Sequence, residues 1–336
     1  MKPNPFYAGS RSFSSRVERR LKLFVHSLYV DYQSDHKKSV LLCGAPRSGT
    51  TWLAEVINHA QDYRLLYEPF NNDMVPLCAG FSERQYLRPD DDNPNYLEPA
   101  KVIFTGRARD AWIDQYNRPG FARRRLIKDV RSTLMLKWIR NHFPGMKIIF
   151  VVRHPCAVAV SRTKLGWRSI WRETFFDQQD LMTDYITPFR DTIEAAQSPF
   201  QRHIVDWCVE NFVPFSQLNP DDVYVAFYEN LCANPTAELR TLFQFLGLPF
   251  GRPVLKRANR PSITARVKGD QSAVLGGENL VETWRKHVTD DELEYAKRTT
   301  TLFGLSQIYC DESLADAGKA NELLRKSSTR LATSAS

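Results

Sequence analysis

Residues 41–57, LLCGAPRSGTTWLAEVI, constrain the fold more than any other stretch of the chain. The segment leading into them, SVLLC at 39–43, is a short continuous apolar run, the pattern of a strand buried on both faces of a sheet. Gly44-Ala45-Pro46 then turns the chain. Behind Gly49 the period changes: Trp52, Leu53, Val56, Ile57 and Ala60 recur at three- and four-residue spacings, as on one face of a helix. A buried strand, a glycine-bounded turn and a helix in immediate succession place the turn at a helix N-terminus. That end carries about half a positive charge and binds anions. Arg47 adds a guanidinium suited to tetrahedral oxyanions.

A nucleoside-triphosphate loop of the form G-x-x-x-x-G-K-[ST] is excluded in its strict sense. The residue after Gly49 is Thr50, so the lysine that reaches the terminal phosphates is missing. A simple connecting turn would need neither the hydroxyls of Ser48, Thr50 and Thr51 nor the arginine. The loop is therefore predicted to bind a phosphate or a sulfate group.

Strand-then-helix patterns recur at MKIIFVVRHPCAVAVSRTK, where 148–152 is the strand and Pro155 suits a first helical turn. They recur at DVYVAFYENLCANPTAELRTLFQFLGL, where 223–227 is the strand, Leu239, Leu242, Phe243 and Leu246 line a helix, and Gly247 stops it. LIKDV at 126–130, followed by a helix over 134–143, makes a fourth unit. The alternation predicts an α/β, P-loop-like three-layer fold, with a central mostly parallel sheet flanked by helices and ligands at the carboxyl ends of the strands. One domain over 37–312 is expected, with insertions near 71–122 and 165–200. Residues 1–36 read as an N-terminal helical extension. Its segment VERRLKLFVHSLYV would be a basic amphipathic helix docked on the domain or lying at a membrane face. Residues 313–336, ending in RKSSTRLATSAS, read as a tail without structure.

Composition narrows the function classes. Of 336 residues, 43% are hydrophobic and 25% charged, which excludes collagenous and disordered chains. The net charge of +8 favours an anionic ligand, but the basic residues are spread out, so nucleic acid is not an expected partner. The six cysteines lie far apart without metal-type spacing and read as reduced, buried small hydrophobes. With no spanning segment and no signal-peptide core, a soluble cytoplasmic protein is expected.

RSGTTW at 47–52 resembles the 5′-phosphosulfate loop, [KR]-S-G-T-[TS]-W, of the sulfotransferases that use 3′-phosphoadenosine 5′-phosphosulfate (PAPS). VVRHPCAVAVSR is similar to that family's 3′-phosphate motif, with Arg153 at the strand end and Ser161 eight residues on. FYENL at 227–231 resembles the family's YEDL segment, and ETWRKHVTDDE at 282–292 its C-terminal Trp-basic element. RVKG at 266–269 would supply basic residues over the cofactor, although its distance from Trp284 departs from the cytosolic members' pattern.

The resemblance implies that Arg47, Ser48, Gly49, Thr50, Thr51, Trp52, Arg153, Ser161 and Tyr228 bind PAPS and release PAP, without a metal. The amides of Ser48 to Thr51 would point at the ligand, Trp52 would pack on the adenine, and Tyr228 would hydrogen-bond near the nucleotide. Arg47 would act at the bond to be broken. Glu68, in LLYEPF, is the expected base, provided its site raises its pKa towards working pH. Lys128, in LIKDVRS, would stabilise the transferring group, with Arg131 as a lesser helper.

The cytosolic branch carries a histidine after this lysine, where Asp129 and Val130 stand here. That departure points to the carbohydrate or tyrosylprotein type. The acceptor is expected to be a hydroxyl, on a carbohydrate or a glycolipid. Trp167, Trp171, Phe175 and Phe176 are candidates either for stacking on it or for core packing. Two alternatives stay open: a Mg²⁺-dependent P-loop kinase or NTPase, and an inert glycan- or membrane-binding protein. Against the first, Arg153 and Tyr228 stand where a Walker B carboxylate would be expected.

Overall fold

The computed structural model describes residues 29–31, 34–117, 120–170, 174–263, 280–309 and 312–334. In chain order its main elements are β1 (Tyr29–Asp31), β2 (Ser39–Gly44), α1 (Thr50–Ile57), β3 (Tyr63–Tyr67), α2 (Pro94–Phe104), β4 (Gly120–Ala122), β5 (Arg124–Asp129), α3 (Leu136–His142), β6 (Lys147–Val152), α4 (Pro155–Lys164), α5 (Pro199–Gln217), β7 (Tyr224–Phe227), α6 (Tyr228–Ala233), α7 (Pro235–Leu246), α8 (Arg252–Ala258), α9 (Asp290–Leu302) and α10 (Ala317–Ser334). Five strands form one all-parallel sheet in the order β3-β5-β2-β6-β7. β1 and β4 form a separate parallel pair.

Side-chain alternation along buried strands makes the three layers. Leu41, Cys43, Ile127, Ile148, Phe150 and Val152 enter a core with α3, α4 and α5. Val40, Leu42, Leu126, Ile149 and Val151 enter a second core, with Leu53, Val56 and Ile57 of α1 and Leu239, Leu242 and Phe243 of α7. From β2 the chain crosses to β3 on one side and later to β6 on the other. The carboxyl end of β2 thus lies where the connections diverge, the place where open α/β sheets bind ligands.

β3 is the sheet strand that the hydrophobic pattern did not disclose. YRLLY carries an arginine at its centre, and Arg64 is fully buried. It is paired to Asp114 at 2.8 and 2.9 Å and donates to the carbonyls of Gly106 and Ala108. Those partners belong to the 71–122 insertion, which covers the lateral edge of the sheet rather than only its carboxyl end. Asn117 brackets the Leu65 backbone, accepting from its N–H at 2.8 Å and donating to its carbonyl at 2.9 Å, and the Tyr67 N–H donates to the Ile113 carbonyl. An open strand edge is thereby closed.

The end of the chain also departs from expectation. Residues 317–334 are helical where a tail without structure was predicted. Ala320 and Leu324, one turn apart, are buried against the core beside α5. These docking residues precede the polar string that suggested disorder.

The N-terminal extension up to residue 28, RVKG, Trp171 and Cys310 lie outside the described residues. Cys43, Cys78, Cys156 and Cys208 are buried free thiols, and Cys232 is a partly buried one. Among the described residues no helix is long and apolar enough to cross a membrane.

Candidate active site

The turn after β2 is shaped by two close approaches. A Cβ on Gly44 would lie 2.4 Å from the Val151 carbonyl oxygen of β6, and one on Gly49 would lie 2.4 Å from the Tyr228 ring. Gly49 also has φ +88, and Arg47 holds φ 75, a left-handed conformation that side chains rarely adopt. The Ser48 N–H does not face a ligand as predicted. It closes the turn by donating to the Ala45 carbonyl at 3.1 Å. The first-turn amides of α1 have no partner inside the helix, the arrangement from which helix N-termini donate to anions. The Ser48 hydroxyl is fully buried and has no hydrogen-bond partner among the described residues.

Arg153 and Ser161 both meet Arg47, from opposite ends. The Arg153 guanidinium donates to the Arg47 carbonyl at 2.9 Å, and the Ser161 hydroxyl accepts from Arg47 Nε at 3.0 Å. The strand-to-helix turn makes this possible. His154 caps α4 by accepting from the Cys156 N–H at 3.2 Å, Pro155 takes the first position, and Trp207 Nε1 ties down the Arg153 carbonyl at 2.8 Å.

The Arg153 guanidinium lies 4.5 Å over the Tyr228 ring and 3.9 Å from the Glu229 carboxylate. Burial raises the Glu229 pKa, with Arg153 opposing. That carboxylate also accepts from the His154 N–H and the Tyr309 hydroxyl. His154 stacks on Trp284 at 4.2 Å, and burial, then Arg285 and Arg153, push its pKa down to about 3. It is a neutral packing residue, and it shows where the 282–292 element docks. Trp52 packs edge-on against Tyr228 and donates to the Ala258 carbonyl at 3.0 Å.

A second group of side chains stands at the neighbouring strand ends. Tyr67 and Lys128 are register partners of β3 and β5, so Glu68, the next residue of β3's chain, emerges beside Lys128. Lys128 Nζ donates to one Glu68 oxygen and Arg131 donates to the other at 3.1 Å. Burial would raise the Glu68 pKa, but Lys128 and Arg131 outweigh it and hold the carboxyl below its ordinary value. This reverses the expectation that the site lifts Glu68 towards neutrality; two adjacent cations stabilise the anion.

Asp129, where a histidine was considered, is fully buried and accepts from the Phe70 and Arg131 N–H groups at 3.1 and 2.6 Å. Lys128 Nζ also sits 4.7 Å from the Tyr67 ring centre, and that ring packs edge-on with Trp112 and Tyr116. Both groups of side chains share the carboxyl edge of the sheet, with β5 immediately beside β2.

The remaining aromatic candidates and two further histidines fall elsewhere. Phe175 is buried in the core, while Trp167 and Phe176 are partly buried. His203 is buried against Asp206 and the Trp167 carbonyl. His287 is exposed.

The sequence model described as "Sulfotransferase family" matches residues 39–252, which span the loop, all five sheet strands and both groups of side chains. The chain belongs to the sulfotransferase family. Similar solved structures include the sulfotransferase domain of the curacin biosynthetic pathway, 15% identical, covering 78% of this chain and 96% of that one, with a TM-score of 0.42. The sulfotransferase domain of the Synechococcus PCC 7002 olefin synthase is 18% identical, covering 78% of this chain and 94% of that one, also at 0.42. Mouse sulfotransferase SULT7A1, complexed with PAP, is 16% identical, covering 90% and 93%, at 0.39. No curated protein matches significantly.

Proposed function

We propose that this sulfotransferase moves a sulfuryl group from PAPS to a hydroxyl acceptor and releases PAP. The observation that carries the reading is the convergence of Arg153 and Ser161 on Arg47, beside a helix N-terminus and next to the Glu68–Lys128 pair. The loop fits such a ligand: its donors are first-turn amides, the hydroxyls of Thr50 and Thr51, a buried Ser48 hydroxyl and two guanidinium groups. PAPS supplies the activated sulfuryl group when bound. Arg47 and the amides from Gly49 to Thr51 hold the 5′-phosphosulfate end, while Arg153 and Ser161 hold the 3′-phosphate. Tyr228 and Trp52 form the wall on the nucleotide side.

Glu68 takes the acceptor's proton. Its depressed pKa keeps it ionised at neutral pH, which makes it available but weakly basic. Lys128 therefore has two tasks. It holds the carboxylate in place and, by shifting towards charge that develops on the sulfuryl oxygens, leaves Glu68 a stronger base at the moment of transfer. Tyr67, Trp112 and Tyr116 offer an aromatic wall beside the base, which suits a ring-bearing hydroxyl acceptor such as a carbohydrate.

Thermal shift compares PAP with ATP plus Mg²⁺, since a ligand that binds only the folded state raises the melting temperature. Stabilisation by PAP is expected; stabilisation by ATP–Mg²⁺ alone would favour the kinase reading and sink this one. Labelled PAPS with a panel of glycans, lipids, phenols and peptides then identifies the acceptor.

A further inference from the structure

We propose that a buried relay, Arg84–Glu210–Arg162, fixes the shape of the anion-binding loop and links it to the 71–122 insertion. The proposal rests on the reading that this loop binds PAPS. Glu210, in the middle of α5, has a side chain with no exposed surface; those of Arg84 and Arg162 are 6% and 4% exposed. One Glu210 oxygen accepts from Arg84 Nε at 2.9 Å and the other from an Arg162 terminal nitrogen at 2.7 Å. Arg162 continues to the loop, donating from Nε and a terminal nitrogen to the Pro46 carbonyl at 3.3 and 3.2 Å.

A planar trans peptide points its C=O and N–H in opposite directions. Pinning the Pro46 carbonyl therefore sets the direction of the Arg47 N–H, and the Arg153 bond to the Arg47 carbonyl sets the next plane. Between these two fixed planes Arg47 is held at φ 75, the strained conformation that begins the helix-end cradle. The Arg162 fork is what anchors the Pro46 carbonyl among the described residues.

Stability does not explain the relay. Buried charges are costly to desolvate, and an apolar trio of similar volume often serves stability as well or better. The surrounding charges are accounted for. Asp206 lies 4.0 Å from Arg162 and is itself held by His203 and Ser169, and Glu83 pairs with Arg84 at 2.9 Å. The far end is also specific: Arg84 stands at φ 58 in the insertion, and Gln178 donates to its carbonyl at 3.0 Å. The relay thereby couples the insertion, which covers the strand that precedes Glu68, to the loop. These three are positioning residues.

The test measures the Kd for PAP by calorimetry on variants that circular dichroism shows to be folded, with the ligand-free melting temperature recorded beside it. Arg162→Lys keeps a charge for Glu210 but loses the fork to Pro46. Arg162→Met/Glu210→Met removes one opposite pair together, leaving Arg84 on Glu83 and Asp206 on His203 and Ser169. PAP affinity is expected to fall about tenfold in each, the effect of roughly one network hydrogen bond. Arg84→Met, which touches neither loop nor ligand, is expected to weaken PAP several-fold as well.

A purely structural role would lower the melting temperature and leave the Kd of the folded protein unchanged. A Kd within about twofold of wild type in both Arg162 variants would overturn the proposal. If the double variant fails to fold, Arg162→Lys alone decides. A wild-type chain that does not bind PAP would count against the proposed function instead, and the relay would then be read from inorganic phosphate affinity in the same variants.

Discussion

Replacing Glu68 by glutamine takes the negative charge out of the middle of a three-group cluster. The Glu68 side chain is 13% exposed, Lys128 3% and Arg131 15%, so water compensates little for the loss. The amide keeps one acceptor for Lys128 but offers Arg131 a donor instead of an oxygen. One charge-assisted hydrogen bond disappears, a cost of about 1.5–3 kcal/mol.

The sign of its pH dependence follows from the shift. The folded carboxyl lies below its ordinary value of 4.5, so its contribution is present above that value and is lost as pH falls through the folded pKa. Urea unfolding should find the variant less stable by about 2 kcal/mol at neutral pH. That gap should close as the pH falls below 4.5.

Turnover should fall by about 10²–10⁴, the usual contribution of a general base. PAP affinity should stay within about twofold of wild type, because the contacts of Glu68 lie at β5 and not at the loop. The acid limb of kcat/KM for the wild type should lie below 4.5. Wild-type turnover in the variant would remove Glu68 from the role of base, and an acid limb near neutrality would refute the electrostatic account of its pKa.

Gly49→Ala forces a Cβ to 2.4 Å from the Tyr228 ring at φ +88. It should cost about 1–3 kcal/mol in urea melts and weaken PAP binding in calorimetry, since the helix start must shift. Ser161→Ala removes the acceptor of Arg47 Nε and should raise the Kd for PAP about fivefold with little change in melting temperature. Asn117→Leu leaves the N–H and carbonyl of Leu65 without their side-chain partners. It should destabilise the protein by about 2–4 kcal/mol while the PAP affinity of the folded protein is kept, a separation visible by comparing urea melts with calorimetry.

Four sheet strands were legible because burial on both faces writes a continuous apolar run, as in β2 and β6. β3 was not, because its Arg64 is neutralised by Asp114, fifty positions away, and no local pattern carries that information. The helix at 317–334 was missed for a related reason: the polar residues near its end outweigh Ala320 and Leu324, whose value depends on the core surface waiting for them.

The candidate site divides in the same way. Arg47, Arg153, Ser161 and Tyr228 were legible singly, each at a strand end or in its following helix. That Arg153 and Ser161 meet on the backbone and side chain of Arg47 appears only when β2 and β6 are laid side by side.

Glycine spacing, hydroxyls and a change from strand to helix period are local properties, so the sequence by itself determined a glycine-bounded turn between a buried strand and the start of α1. It also determined the alternation of strand and helix units along the chain. Tertiary structure decided the charge state of the chemistry. Glu68 and Lys128 are 60 positions apart, and parallel register at the β3–β5 edge makes them a pair. Once paired, the carboxylate's pKa moves down rather than up, because the field of two nearby cations exceeds the penalty of burial. Spacing along the chain sets which groups can exist, whereas the distances between them, on which Coulomb energies depend, arise only on folding.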